Sequence, residues 1–98
     1  FARRLRFFVE FPFPNRAARA QIWERCLPPR IPTEALDFDV LSELSVSGGG
    51  IRNIVVAASI RSAADDRPLS MPHLRDAARL ELEKAGQVAP EAMLGRWA

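Results

Sequence analysis

Residues 5–11, Leu-Arg-Phe-Phe-Val-Glu-Phe, form the one stretch of this sequence with a strand's alternation, and a lone strand cannot make a sheet. Leu5, Phe7, Val9 and Phe11 fall on one face at a period of two, while Phe8 makes the other face partly apolar. Pro12 and Pro14 end the run, because neither can donate to a ladder. The chain must therefore be mostly helical, and the strand's partners are expected outside these 98 residues. The sequence opens Phe1-Ala2 rather than with methionine, and Arg3 to Phe13 reads as the middle of a longer element. A cut within a longer chain is the expectation.

From Asn15 onward the apolar spacing is helical. Asn15 is a suitable N-cap. Ala18, Ile22 and Cys26 recur at i, i+4 and i+8 with Trp23 and Leu27 beside them, which predicts a first helix over about 16–27. Pro28, Pro29 and Pro32 make a stiff linker. Thr33 or Asp37 then caps a short second helix ending near Leu44, with Phe38, Leu41 and Leu44 inward. Ser47-Gly48-Gly49-Gly50 reads as a break. A third helix follows over about 50–64, with Ile51, Ile54, Val55 and Ala58 on its inner side. Asp65, Asp66 and Pro68 mark a turn. Ser70 caps a fourth helix with Pro72 in its first turn. Leu74, Ala77, Ala78 and Glu81 share a stripe flanked by Leu80 and Leu82, and Gly86 stops it. On its surface, Glu81 and Glu83 are expected to pair with Arg79 or Lys84. Pro90 opens a last short helix carrying Met93, Leu94 and Trp97. The expected fold is mostly α: one N-terminal strand, a four-helix bundle and a short C-terminal helix. Residues 1–14 are expected to end one unit and 15–98 to form the helical domain.

A chain of this length is one small domain, burying roughly two-thirds of its unfolded surface. Hydrophobic residues at 48% and charged residues at 27% suit an ordinary globular chain, and a net charge of +2 does not make a general polyanion binder. Nucleic acid is not expected as a partner. No apolar run approaches the roughly 20 residues a membrane helix needs, so no membrane is expected either. Cys26, the sole cysteine, cannot form an internal disulfide, which fits a reduced cytoplasmic protein. His73, the sole histidine, is expected at the surface or as a cap, and one histidine with one cysteine makes no metal site. No Ser/His/Asp arrangement and no G-x-x-x-x-G-K-[ST] phosphate loop are legible.

Two groups of residues stand out. Arg52 follows three glycines and falls in the first turn of the expected third helix. A cation there opposes the helix dipole, at a cost of about 0.3–1 kcal/mol. The same helix end binds anions, and glycines let a ligand approach the backbone closely. The competing reading is a plain glycine turn with a solvated arginine. Arg3-Arg4-Leu5-Arg6 places three planar, permanently charged forks together. Such forks can stabilise charge on a transferring phosphoryl group. A solvated basic start, or a nucleic-acid contact, competes with that reading.

The order of these features is more specific than any one of them. Arg-Arg precedes a strand. Phe-Pro-Phe-Pro-Asn follows, then a helix with Ala-Arg-x-x-Ile-Trp, then Ser-Gly-Gly-Gly-Ile-Arg-Asn. Over nearly its whole length the chain resembles the C-terminal stretch of AAA+ ATPases, from the arginine-finger region through the helical lid. The resemblance implies ATP as cofactor, with Mg held in the parent protein, and ATP bound weakly or not at all by this chain alone. It implies that Arg52 is the sensor-2 arginine that reaches the γ-phosphate. Arg3 and Arg4 would be arginine fingers reaching a neighbouring subunit's nucleotide. Ile22, Gly48 and Gly49 would line the adenine pocket, with Cys26 one helical turn beyond Ile22. The implied partners are the AAA+ core of the same chain and neighbouring subunits of a hexamer. The tail from Glu91 to Trp97 is similar to that of bacterial AAA+ proteins found with phage-tail-like contractile injection systems. Gly50 departs from clamp-loader-like relatives, which carry an acid there, and the doubled Arg3-Arg4 leaves open which is the finger. The phosphate loop, Walker-B acid and sensor-1 are absent, so the chain alone is expected to be inactive. Two other functions compete: a non-catalytic helical module that docks a protein or nucleic acid, and a purely structural helical cap.

Overall fold

The computed structural model describes residues 15–27, 31–88 and 90–97. The expected strand at 5–11 lies outside them, as do Arg3 and Arg4. The described residues form five α-helices and no strand. These are α1 (Arg16–Cys26), α2 (Phe38–Leu41), α3 (Gly48–Asp65), α4 (Met71–Lys84) and α5 (Glu91–Leu94), which runs into a 3-10 turn at Gly95–Trp97. None of them is long and apolar enough to cross a membrane.

The helix starts follow from their caps. Asn15 Oδ1 accepts the Ala18 N–H at 2.8 Å. Asp37 Oδ1 accepts from Asp39 and Val40 at 3.1 and 3.2 Å, so Asp37 caps α2 and Thr33 does not. Thr33 instead forms a parallel bridge with Leu69. The Glu34 N–H donates to the Leu69 carbonyl at 2.8 Å, and the Leu69 N–H to that of Pro32 at 2.9 Å. This pins the linker after α1 to the α3–α4 turn. That turn is made at Asp66, which adopts a left-handed φ of 57°, a conformation that aspartate tolerates better than most residues.

The core sits where α3 and α4 pack. Ile51, Ile54, Val55 and Ala58 of α3 are buried, as are Leu74, Ala77, Ala78 and Leu82 of α4. The alanines bring the two backbones close, and the apolar stripe of each helix matches its expected face. Leu80, expected to flank that stripe, is 46% exposed. Trp23 closes the other side of α3. Its ring meets that of Trp97 edge-on, with centroids 6.0 Å apart and planes at 85°, a favoured aromatic geometry. The tail carrying Trp97 is tied down by charge. Arg79 donates to both oxygens of Glu91, at 3.1 and 2.7 Å, and Arg96 pairs with Glu43. Lys84 pairs with Glu81 as expected, at 3.3 Å, whereas Arg79 reaches Glu91 and Asp76 rather than the glutamates of its own helix.

Candidate functional site

α1 and α3 leave a cleft of about 470 Å³ between them, lined by Ile22, Arg25 and Cys26 on one side and by Arg52 and Val56 on the other. The stripe of Ala18, Ile22 and Cys26 that predicted the helix is half-buried, and Trp23 alone is fully buried in α1. The larger ring takes the interior position and rotates its neighbours toward the cleft. α1 is held at this angle by arginines near its start. Arg16 donates to the Asp39 carboxylate and the Ser42 hydroxyl, both at 3.1 Å, and Arg19 donates to the Ser42 carbonyl at 2.8 Å.

The glycine run behaves differently from expectation. It does not break the chain but starts α3, because Ser47 supplies the N-cap and its hydroxyl accepts the Gly50 N–H at 3.0 Å. Arg52 is therefore the fifth residue of the helix and lies in its second turn. The dipole effect falls off within the first turn, so the expected electrostatic penalty on Arg52 is mostly lost. The anion-binding feature remains: the Gly48 and Gly49 N–H groups have no acceptor among the described residues. Gly48 lies against Ile22, and a Cβ there would sit 3.7 Å from Ile22 Cδ1. Gly49 faces open space. Gly50 is the constrained position, because a Cβ there would fall 2.5 Å from Val46 Cγ2. That contact disfavours any side chain at this position, and only the packing of the preceding loop could have revealed it.

The structure thus brings Ile22 and Arg52 to one cleft, with Gly48 against Ile22 and Gly49 facing open space. Arg25 joins them, and sequence reasoning missed it. The available signal was that Arg25 falls one helical turn beyond Ile22 on the same helix. Arg25 and Arg52 are both exposed and have no ion pair or hydrogen bond among the described residues.

His73 is buried rather than at the surface, and it does act as a cap. Its Nδ1 accepts the Ser70 N–H at 3.2 Å and lies 2.8 Å from Ser70 Oγ, while Nε2 is 2.9 Å from Asp65 Oδ2. A Ser–His–Asp line thus exists where none was legible in the sequence. It is built as a clasp between α3 and α4: the backbone N–H of Ser70 occupies the nitrogen that would have to take a proton from its hydroxyl. No group of three metal-binding side chains exists among the described residues.

Comparison of the chain with protein-family models, with curated proteins and with solved structures found no match.

Proposed function

We propose that this chain is the lid of an AAA+ ATPase, acting in the cytoplasm within a hexameric ring that remodels macromolecules. The observation that carries the reading is the α1–α3 cleft. Ile22 and Arg52, 30 positions apart and singled out by the resemblance, line it together, and Gly48 abuts Ile22. The residues fit ATP: apolar walls suit a base, while free amide N–H groups and a guanidinium suit phosphate. In this reading Ile22, Gly48 and Gly49 face the adenine and Arg52 reaches the γ-phosphate. The fixed charge of Arg52 then stabilises negative charge that builds on the phosphoryl oxygens during transfer. In this reading Mg is held by the core of the parent protein. Residues 1–14 end that core, and Arg3 and Arg4 serve the nucleotide of a neighbouring subunit. Without a phosphate loop the 98 residues alone do not turn ATP over.

The test is Arg52→Ala in the longer chain that carries the core. Loss of a charge-assisted phosphate contact, about 1.5–3 kcal/mol, lowers turnover roughly ten- to a hundredfold when the contact is made in the transition state. The melting temperature should stay unchanged, because Arg52 is exposed and holds no partner among the described residues. Wild-type turnover would remove Arg52 from the site, and a collapse in melting temperature would make it structural. A second reading, a docking module without catalysis, is favoured by Val56 and Ile60, which are 55% and 65% exposed one and two turns beyond Arg52.

A further inference from the structure

We infer that Arg25 is a second phosphate-reading cation in the α1–α3 cleft, so that the cleft selects a nucleoside triphosphate by charge from two helices. This rests on the nucleotide-lid reading and adds a residue to it. An arginine on a helix surface meets its nearest helical neighbours three and four positions away, where an acid would balance it. Arg25 has Gln21, Ile22, Pro28 and Pro29 at those positions, and Arg52 has Gly48, Gly49, Val55 and Val56. Neither set contains a carboxylate. Glu24 adjoins Arg25 in sequence, but no ion pair or hydrogen bond joins the two among the described residues.

Five other cations among the described residues are neutralised within the fold. Arg16, Arg75, Arg79, Lys84 and Arg96 each pair with an acid. Arg25 and Arg52, like Arg61 and Arg67, have no ion pair among the described residues, but these two approach one cleft from opposite helices, and the other lining residues, Ile22, Cys26 and Val56, bring no charge. Like charges facing across an uncharged gap repel, and an anion between them relieves that repulsion. The gap is also walled by apolar side chains, so the favoured anion carries an apolar body. A nucleoside polyphosphate has both parts, and each added phosphate charge gains more from two cations than from one.

The experiment is an NMR titration of the 98-residue chain with ATP, ADP and adenosine, using Arg25→Ala, Arg52→Ala and, as a control outside the cleft, Arg61→Ala. In the wild-type chain ATP shifts resonances of Ile22 and Val56 in the low-millimolar range and ADP does so more weakly. Arg25→Ala weakens ATP binding about three- to tenfold, brings ATP and ADP closer together and leaves adenosine unchanged. Arg25→Lys restores part of the preference, and Arg61→Ala changes nothing. If Arg25→Ala titrates like wild type while Arg52→Ala loses ATP, the inference is overturned and the lid reading stands. If ATP shifts no cleft resonance in the wild-type chain, or neither cleft substitution affects it, the inference is overturned, while the lid reading is decided by Arg52→Ala in the longer chain.

Discussion

Gly48, Gly49 and Gly50 look interchangeable in the sequence, and their surroundings make them three different residues. A methyl group at Gly50 meets Val46, a buried side chain whose Cγ2 would be 2.5 Å away, whereas a methyl at Gly49 meets nothing within 4 Å. Gly50→Ala should lower stability by about 1–3 kcal/mol, since overpacking exceeds the gain in helix propensity. Gly49→Ala should raise it by up to about 1 kcal/mol, because alanine restricts the unfolded chain and fits a helix. Urea unfolding of the two variants checks both signs, and equal effects would contradict the geometry. In the proposed site Gly49 lets ATP approach the backbone, so a stabilised Gly49→Ala parent should also lose turnover. The glycine run misled sequence reasoning because propensity argues for a break. The apolar face of Ile51, Ile54, Val55 and Ala58 and the Ser47 cap outweigh that local preference. The same two-residue extension moves Arg52 out of the first turn.

At the level of elements, the tail from Glu91 to Trp97 is the part whose role was least legible. Its helical start and apolar residues were readable after Pro90. Its destination was not, because Trp97 meets Trp23 and Glu91 meets Arg79 only through the fold. The Arg79 hydrogen bond, assisted by its charge, holds the Glu91 carboxyl below the ordinary glutamate range against a smaller opposing effect of desolvation. A carboxyl lowered on folding adds stability that is present above its unfolded pKa and lost as pH falls through the folded one. The tail should therefore stay docked at neutral pH and loosen only under acid, below the usual glutamate titration. Tryptophan fluorescence of wild type and Glu91→Gln during acidification measures this. The variant should lack the component of the acid transition that belongs to this pair. Identical acid profiles would show that Trp97 docks without help from it. The effect is modest in any case, since both partners reach solvent.

On the scale of the whole molecule, the mostly helical class was legible because apolar residues recur at helical spacing from Asn15 to Trp97, with caps readable at Asn15 and Ser70 and, as one of two candidates, at Asp37. The cleft was legible only as a set of separate residues. Periodicity gives the face of one helix and says nothing about which face of another it meets, so Arg25 and Arg52 could not be paired in advance. The proposed ring makes a sharper demand than any single helix. Arg3 and Arg4 would act on the nucleotide of a neighbour, whereas Arg52 would act within its own subunit. A subunit lacking the fingers but keeping its phosphate loop can be completed by a neighbour with intact fingers, even when that neighbour's own phosphate loop is broken. Mixing an Arg3/Arg4 double-alanine parent with a phosphate-loop variant should therefore recover part of the lost ATP turnover. The same mixture made with Arg52→Ala should recover none. Each kind of site then lacks one essential group supplied in cis, either Arg52 or the phosphate loop, and no arrangement of neighbours restores it. Recovery with both variants would place Arg52 at the subunit boundary, and recovery with neither would remove Arg3 and Arg4 from it.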